Sequence, residues 1–212
     1  MTRGGRTFGS IDSKTDILAL FTAILVAMDV AAMQLFTALL TLLALGGSAV
    51  LLVSRTLSGR SRVAARLSSD VGRVSLALGA LVASVATAGS LYFSEIADFV
   101  PCRLCWFQRI CMYPLVAILG VAAWRRDRGA RWYCLPLLVA GGSVSLYHYI
   151  IEWKPSWGES ACGVGPSCTD VWFRELGFVT LAFMALAGFV TIGVLLFVTP
   201  TADRNQPAVA DD

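Results

Sequence analysis

Four of the six cysteines stand in two close pairs, and closely spaced thiols can form and break a disulfide. Cys102 and Cys105 make a C-x-x-C motif at the start of an apolar run. Cys162 and Cys168 enclose five residues, including two glycines and a proline, so this loop can fold back on itself. Disulfide exchange requires a thiolate to reach a disulfide sulfur. Two pairs within reach of each other could therefore pass electrons.

The neighbours of the first pair favour a thiolate. Pro101 precedes Cys102, and proline is favoured at the first position of a helix, so the motif is predicted to open one. The free N–H groups and dipole of a first helical turn, together with the charge of Arg103, stabilise an anionic sulfur. A fixed disulfide or half of a metal site would show the same spacing.

The second pair has a competing interpretation as a structural staple of its loop. A zinc site with four cysteine ligands is a further alternative, but its usual two-residue spacing fits only the first pair. No histidine lies within either pair. We therefore predict that no metal is bound, and that Cys102, Cys105, Cys162 and Cys168 are redox-active.

Three polar residues in apolar surroundings are candidates for binding an electron acceptor. Arg109 follows Cys105 by four residues, so the two share a helix face, and Gln108 lies beside it. The partner of such an arginine would be a thiolate or a quinone carbonyl, or else the side chain snorkels to the interface. His148, the only histidine, is expected at a similar depth, either on a quinone or among interfacial tyrosines.

The composition predicts that these residues are carried by membrane-spanning helices. Hydrophobic residues make up 57% of the 212 and charged residues 15%, against about 25% charged in soluble proteins. Four core spans are predicted at about 74–93, 106–124, 132–151 and 176–198. Basic residues do not alternate with aromatic ones in a patch, so nucleic acid is not an expected partner.

The N-terminal region, residues 1–73, is predicted to add one or two hydrophobic helices to this four-helix core of 74–199. Its apolar run, 17–53, is barely long enough for two spans. The alternative is one span from about 31 to 53 behind an interfacial segment, with Asp29 near a surface. The run lacks the cleavage site of a signal peptide, and residues 200–212 are predicted to form a polar tail.

Arginines fix the orientation. The connections 54–73 and 125–131 are rich in arginine and are predicted to be cytoplasmic. The connections 94–105 and 152–175 then face outward, and both cysteine pairs lie in them. The outer compartment permits disulfides.

Three stretches closely resemble the DsbB family of disulfide bond formation proteins, in particular its short-loop, BdbC-like members. They are PCRLCWFQR at 101–109, MYPL at 112–115 and GFVT at 177–180. The resemblance covers roughly 72–199. It implies a four-helix bundle in the cytoplasmic membrane of a bacterium, with a quinone, menaquinone or ubiquinone, held near the first pair.

The resemblance also implies the roles of the cysteines. Cys162 and Cys168 would reoxidise a thioredoxin-like thiol oxidase of the DsbA type, with Cys162 forming the mixed disulfide. Electrons would pass to Cys102 and Cys105, with Cys105 as the thiolate that faces the quinone. Arg109, Gln108 and His148 would line the quinone site, which makes the expected enzyme a disulfide-generating quinone reductase.

Two departures from the family pattern are the N-terminal 70 residues and the close spacing of the second pair. The vitamin K epoxide reductase type is an alternative, but its C-x-x-C follows the loop pair, and here the order is reversed. A non-enzymatic membrane scaffold or metal-handling protein with two inert disulfides is the remaining alternative.

Overall fold

The protein is built from α-helices. The computed structural model describes residues 30–58, 61–158 and 166–198. These residues form α1 (Val30–Leu57), α2 (Arg62–Glu95), α3 (Arg103–Arg125), α4 (Arg131–Trp153) and α5 (Leu181–Val198), with short 3₁₀ turns at Arg128–Ala130 and Pro155–Trp157. Within the described ranges, extended pairing is limited to one bridge between Glu175 and Val179. The predicted all-α class is confirmed.

Four of the helices form a ring, with the fifth outside it. Around the ring, α2 packs against α3, α3 against α4, α4 against α5, and α5 against α2. Buried apolar side chains fill the centre, among them Leu115, Leu119 and Ile192, each with no exposed surface. The predicted four-helix core is therefore present, and α1 is the predicted extra helix.

α1 lies along the groove between α2 and α5. It covers about the last two thirds of the N-terminal apolar run, close to the single span predicted at about 31–53. Residues 1–29, which include about the first third of that run and Asp29, lie outside the described part of the chain, as do residues 199–212, which include the predicted tail.

The helices have the length and composition of membrane spans. α1 to α4 are each long and apolar enough to cross a bilayer, and α5 is apolar over the 17 residues Leu181–Phe197. Large apolar side chains also cover the outside of the bundle; Leu43 is 72% exposed. Lipid solvates such side chains, so the exposed apolar surface fits a multi-pass membrane protein.

α2 begins earlier than predicted, inside the arginine-rich connection assigned to 54–73. The hydroxyl of Ser61 caps its first turn by accepting a hydrogen bond from the Ala64 N–H. At 1.5 Å per residue, the 34-residue helix is about 51 Å long, well beyond a hydrocarbon core of about 30 Å. Its first turns, with Arg62 and Arg66, therefore extend past the apolar layer while remaining helical.

Aromatic side chains join the two connections at the opposite end of the bundle. The ring of Phe99, in the connection between α2 and α3, stacks on Trp172 with centroids 4.8 Å apart. Phe93 contacts Phe173 with centroids 5.3 Å apart. The segment that precedes α5 is thus packed onto the end of α2 and onto the connection that leads to the C-x-x-C motif.

Gly141 should be the most size-sensitive position between α4 and α5. A Cβ atom there would lie 2.3 Å from Cζ of Phe189 and 2.9 Å from Cβ of Cys111, whereas a Cβ atom at Gly142 would make an ordinary contact of 3.9 Å with Cβ of Phe189. Overpacking costs about 1–3 kcal/mol, so we expect Gly141→Ala to lower the melting temperature in detergent and Gly142→Ala to leave it nearly unchanged. Equal melting temperatures would contradict this packing.

Candidate redox site

The first cysteine pair is positioned by the start of α3. Cys102 is the N-cap residue, and its sulfur accepts a hydrogen bond from the Cys105 backbone N–H at 3.4 Å. The helix therefore begins one residue after Cys102, and Pro101 precedes the cap instead of occupying the predicted first helical position. Because the cap ties one cysteine to the backbone of the other, the C-x-x-C spacing itself holds the two side chains together.

The two thiols are within reach of each other. Both are free, and their Sγ atoms are 3.1 Å apart. A disulfide requires about 2.05 Å, so a small movement of one side chain separates the thiol pair from the disulfide. Cys102 is buried, 5% exposed, and Cys105 is partly buried.

His148 reaches the pair from the facing helix, α4. Its Nε2 lies 3.8 Å from the Cys102 Sγ, and its Nδ1 lies 3.4 Å from the Gln108 amide nitrogen. Both polar side chains are buried. The structure thus brings Gln108 and His148, which sequence reasoning had singled out separately, into one hydrogen-bonded chain that ends on a sulfur.

Arg109 is held by α2 and does not snorkel. Its Nε donates to the Ser90 hydroxyl at 3.0 Å and its Nη2 to the Ser90 carbonyl at 2.9 Å. The guanidinium also lies over the Trp106 ring, 5.3 Å from the centroid. In the described part of the chain no carboxylate forms an ion pair with it. Its charge is therefore fixed in place, and no carboxylate of the described residues neutralises it.

Cys105, Gln108 and Arg109 line one end of a cavity of about 440 Å³. Trp172 covers the same end, and most of the remaining wall is apolar. Ligand sites for small organic molecules commonly enclose about 300–1,000 Å³ and combine apolar walls with a few polar groups. This cavity has that character, and one of its polar groups is a redox-capable thiol.

Cys168 lies against the first pair. It carries a disulfide and has no exposed surface. It shares a buried cluster with Cys102, Leu104 and Ile151. Cys162 lies outside the described residues, so the predicted pairing of Cys162 with Cys168 stays a prediction.

Sequence reasoning missed Glu152 and Ser90. Glu152 is only 8% exposed and accepts a 2.6 Å hydrogen bond from the Thr180 hydroxyl. It lines a small second cavity together with Cys102 and His148. Its position four residues after His148 places it on the same helix face, which was the available signal. Ser90 gave none, because a serine in an apolar helix most often bonds its own backbone.

The site also offers a set of ligand atoms for a metal ion. Cys102, Cys105 and His148 offer three ligand atoms that all lie within 4.8 Å of one another. The sequence disfavours zinc partly because no histidine lies within either cysteine pair. The fold brings His148 to the first pair from another helix, so the lack of a histidine near that pair no longer counts against a metal.

The two sulfurs differ in their surroundings. The hydrogen bond from the Cys105 thiol, aided by His148, holds the pKa of Cys102 well below its usual range, although burial opposes this. Of the two cysteines, only Cys105 lines the large cavity. The favoured thiolate and the cysteine that lines this cavity are therefore different residues of one pair.

Comparisons with known proteins identify the family of the chain. The family model described as "Disulfide bond formation protein DsbB" matches residues 72–199. The chain belongs to the DsbB family. The match spans α3, α4, α5 and nearly all the membrane-spanning part of α2, and it contains both cysteine pairs. Membership makes the chain a membrane protein of disulfide bond formation, whose chemistry is thiol oxidation, and it favours the DsbB type over the vitamin K epoxide reductase type.

Similar curated proteins cover the same part of the chain. "Probable disulfide formation protein C 1" of Bacillus anthracis is 48% identical over 116 residues, 54% of this chain and 83% of that protein. "Disulfide bond formation protein C" of Bacillus subtilis is 43% identical over 117 residues, which are 55% of this chain and 85% of that protein. "Probable disulfide formation protein" of Coxiella burnetii is 40% identical over 118 residues, which are 55% of this chain and 80% of that protein. No solved structure matches the chain.

The lowered pKa of Cys102 predicts a thiolate at acidic pH in this DsbB-family protein. A group whose pKa is lowered is charged above the lowered value, whereas an ordinary cysteine, with a pKa of about 8.5, is protonated at about pH 6. Ultraviolet thiolate absorbance of the reduced protein should therefore persist near pH 6. Cys102→Ser should remove that absorbance, and Cys134→Ala, in the bundle core, should not. A first thiolate that appears only above about pH 8 would contradict the assignment.

Proposed function

We propose that the chain is a thiol:quinone oxidoreductase that reoxidises a thioredoxin-like protein, of the DsbA type, on the outer side of the membrane. The observation that carries the proposal is the position of Cys105. It adjoins Cys102 on one side and lines a largely apolar cavity with Gln108 and Arg109 on the other.

The cavity suits a quinone in both of its parts. The ring of a quinone carries two carbonyl oxygens that accept hydrogen bonds, and its side chain is apolar. Gln108 and Arg109 supply donors at the end next to Cys105, and the apolar wall suits the tail. When bound, the quinone accepts two electrons and two protons and leaves as the quinol. Menaquinone and ubiquinone share these features.

Arg109 would orient the ring by its charge. Ser90 fixes the guanidinium, and no carboxylate among the described residues neutralises it. A fixed positive charge in apolar surroundings stabilises electron density that develops on a nearby oxygen. His148, hydrogen-bonded between Cys102 and Gln108, can hold a proton released by the thiols.

Electrons would enter through the second pair. A partner dithiol reduces the Cys162–Cys168 disulfide, with Cys162 forming the mixed disulfide, and the partner leaves oxidised. The Cys168 thiolate then attacks Cys102 of the oxidised first pair, breaking the Cys102–Cys105 bond and releasing Cys105 as a thiolate. Cys162 displaces Cys102 and restores its own disulfide with Cys168. The shared buried cluster of Cys102 and Cys168 supports this direct exchange.

The first pair would then close again. Two electrons and two protons leave the Cys102–Cys105 dithiol for the quinone, and the disulfide re-forms. Overall, one partner dithiol and one quinone become one disulfide and one quinol. The 3.1 Å separation of the sulfurs supports a pair that opens and closes without moving α3.

We further propose that both redox loops face outward from a bacterial cytoplasmic membrane. The ends of α1 and α3 and the starts of α2 and α4 carry the arginine-rich segments, and Cys102, Cys105 and Cys168 lie at the other end of the bundle. Positive residues favour the cytoplasmic side, which supports this orientation.

Loss of either pair should stop the reaction. We expect Cys102→Ser and Cys162→Ser to lose quinone reduction by a reduced thioredoxin-like partner, since each breaks the chain of exchanges. Cys111→Ala and Cys134→Ala are the controls, because both thiols lie in the bundle core away from the site. Full activity in both serine variants would refute the proposal and leave the inert scaffold.

Arg109→Ala should weaken quinone binding selectively. We expect the apparent KM for quinone to rise at least tenfold, because a charge-assisted hydrogen bond contributes about 1.5–3 kcal/mol. The KM for the thiol partner should change little. Arg125→Ala, an exposed arginine at the far end of α3, is the matched control. An unchanged quinone KM would remove Arg109 from this role.

A metal-binding function is the second candidate, favoured by the cluster of Cys102, Cys105 and His148. Zinc binds cysteine sulfurs as thiolates, and a sulfur that is bound to zinc is not available for the disulfide between Cys102 and Cys105. Metal analysis of protein purified without chelator separates the two functions. One zinc per chain, lost in His148→Ala, would support the metal site over the redox site.

A further inference from the structure

We propose that α1 forms one wall of the quinone site and holds the apolar tail of the quinone. This inference rests on the proposed function. It assigns a role to the helix that lies outside the matched DsbB region and names the part of the ligand that the helix touches.

The cavity that begins at Cys105 continues along α1. Thr37, Leu40, Thr41 and Ala44 of α1 all line it. The hydroxyls of Thr37 and Thr41 are already bonded to carbonyls of their own helix, at 2.8 Å in both cases. This stretch of wall therefore has no polar group that requires a ligand partner, which suits an apolar tail.

The cavity is long enough to hold the ring of a quinone at one end and its tail at the other. On α2, its lining extends from Ser94, four residues beyond the Ser90 that bonds Arg109, to Leu81. Thirteen residues of helix correspond to about 20 Å, far more than the ring of a quinone needs. The polar residues Gln108 and Arg109 lie at the outer end, and Leu40 and Ala44 lie farther along, where a tail would continue from the ring.

α1 is fixed against the bundle and can serve as a wall. At its outer end, Met33 is 7% exposed and packs in a buried cluster with Phe93. Farther along, the buried Ser48 hydroxyl donates to the Thr191 hydroxyl of α5 at 3.3 Å. Contacts with α2 and α5 on both sides of the cavity-lining stretch keep that stretch in place.

The wall is an addition to the shared core. The family match begins at residue 72, after the end of α1. The stretch matched in the Bacillus anthracis protein is 83% of that protein, which leaves it about 24 further residues, fewer than the 28 of α1. The tail contacts of α1 would therefore distinguish quinone binding in this chain from binding by the core alone.

The test compares two quinones in binding to the full-length protein. One is a long-tailed menaquinone and the other is menadione, which has the same ring system without the tail. The dissociation constant is measured by quenching of tryptophan fluorescence, since Trp172 lines the cavity. Ala44→Phe should fill the tail path, with Ala49→Phe, exposed on the same helix, as the control.

We expect Ala44→Phe to weaken binding of the long-tailed quinone about tenfold or more, and to leave menadione binding and the Ala49→Phe control near wild type. A second pair of variants replaces leucine with alanine, so the protein does not have to accommodate a larger side chain. Leu40→Ala should also weaken long-tail binding, and Leu39→Ala, at the 52% exposed neighbour, should not.

The outcomes separate this inference from the function on which it rests. Wild-type protein that binds neither quinone would refute the quinone site itself. Wild-type protein that binds both, with Ala44→Phe and Leu40→Ala no different from their controls, would refute only the α1 wall. Equal loss of both quinones in these variants would also overturn it, because the tail contact would then not be the cause.

Discussion

The hydrogen bond from the Cys105 N–H to the Cys102 sulfur is the contact on which the site depends. A sulfur at the N-cap satisfies an otherwise unpaired donor of the first turn, and the same contact brings the two thiols to 3.1 Å. The two cysteines nevertheless differ in their surroundings. Cys102 contacts His148 and belongs to the buried cluster with Cys168, against which Cys105 is packed, and of the two only Cys105 lines the large cavity. A dithiol placed in this way can connect two redox partners that never meet.

The sequence was sufficient for features that depend on local spacing. The apolar runs, the arginine-rich connections and the C-x-x-C at a helix start could all be predicted, because each is set by neighbours along the chain. The proximity of Gln108 to His148 was partly predictable from their expected depth. Even so, α2 continues through Arg62–Arg66, since charged residues stop the membrane-buried part of a helix without stopping the helix.

Contacts between helices could not be predicted in the same way. In a soluble helix the apolar face marks the core, but lipid-facing residues of a membrane helix are also apolar, so periodicity does not identify the inner face. Ser90 as the anchor of Arg109, the Glu152–Thr180 hydrogen bond and the position of α1 beside the cavity all depend on which faces meet. The position of α1 beside the cavity is the largest difference between the structure and the sequence-based prediction. Nothing in the sequence of this span, which lies outside the family core, indicated that it borders the site.

The most direct test of the account is the stoichiometry of one anaerobic reaction. Purified wild-type protein is mixed with a limiting amount of a reduced thioredoxin-like partner and an excess of menaquinone or ubiquinone, and thiols lost and quinol formed are measured together. We expect one quinol for each partner disulfide, because two electrons pass through both cysteine pairs. Disulfides formed without quinol, or no turnover of either quinone by folded protein, would contradict the proposed function.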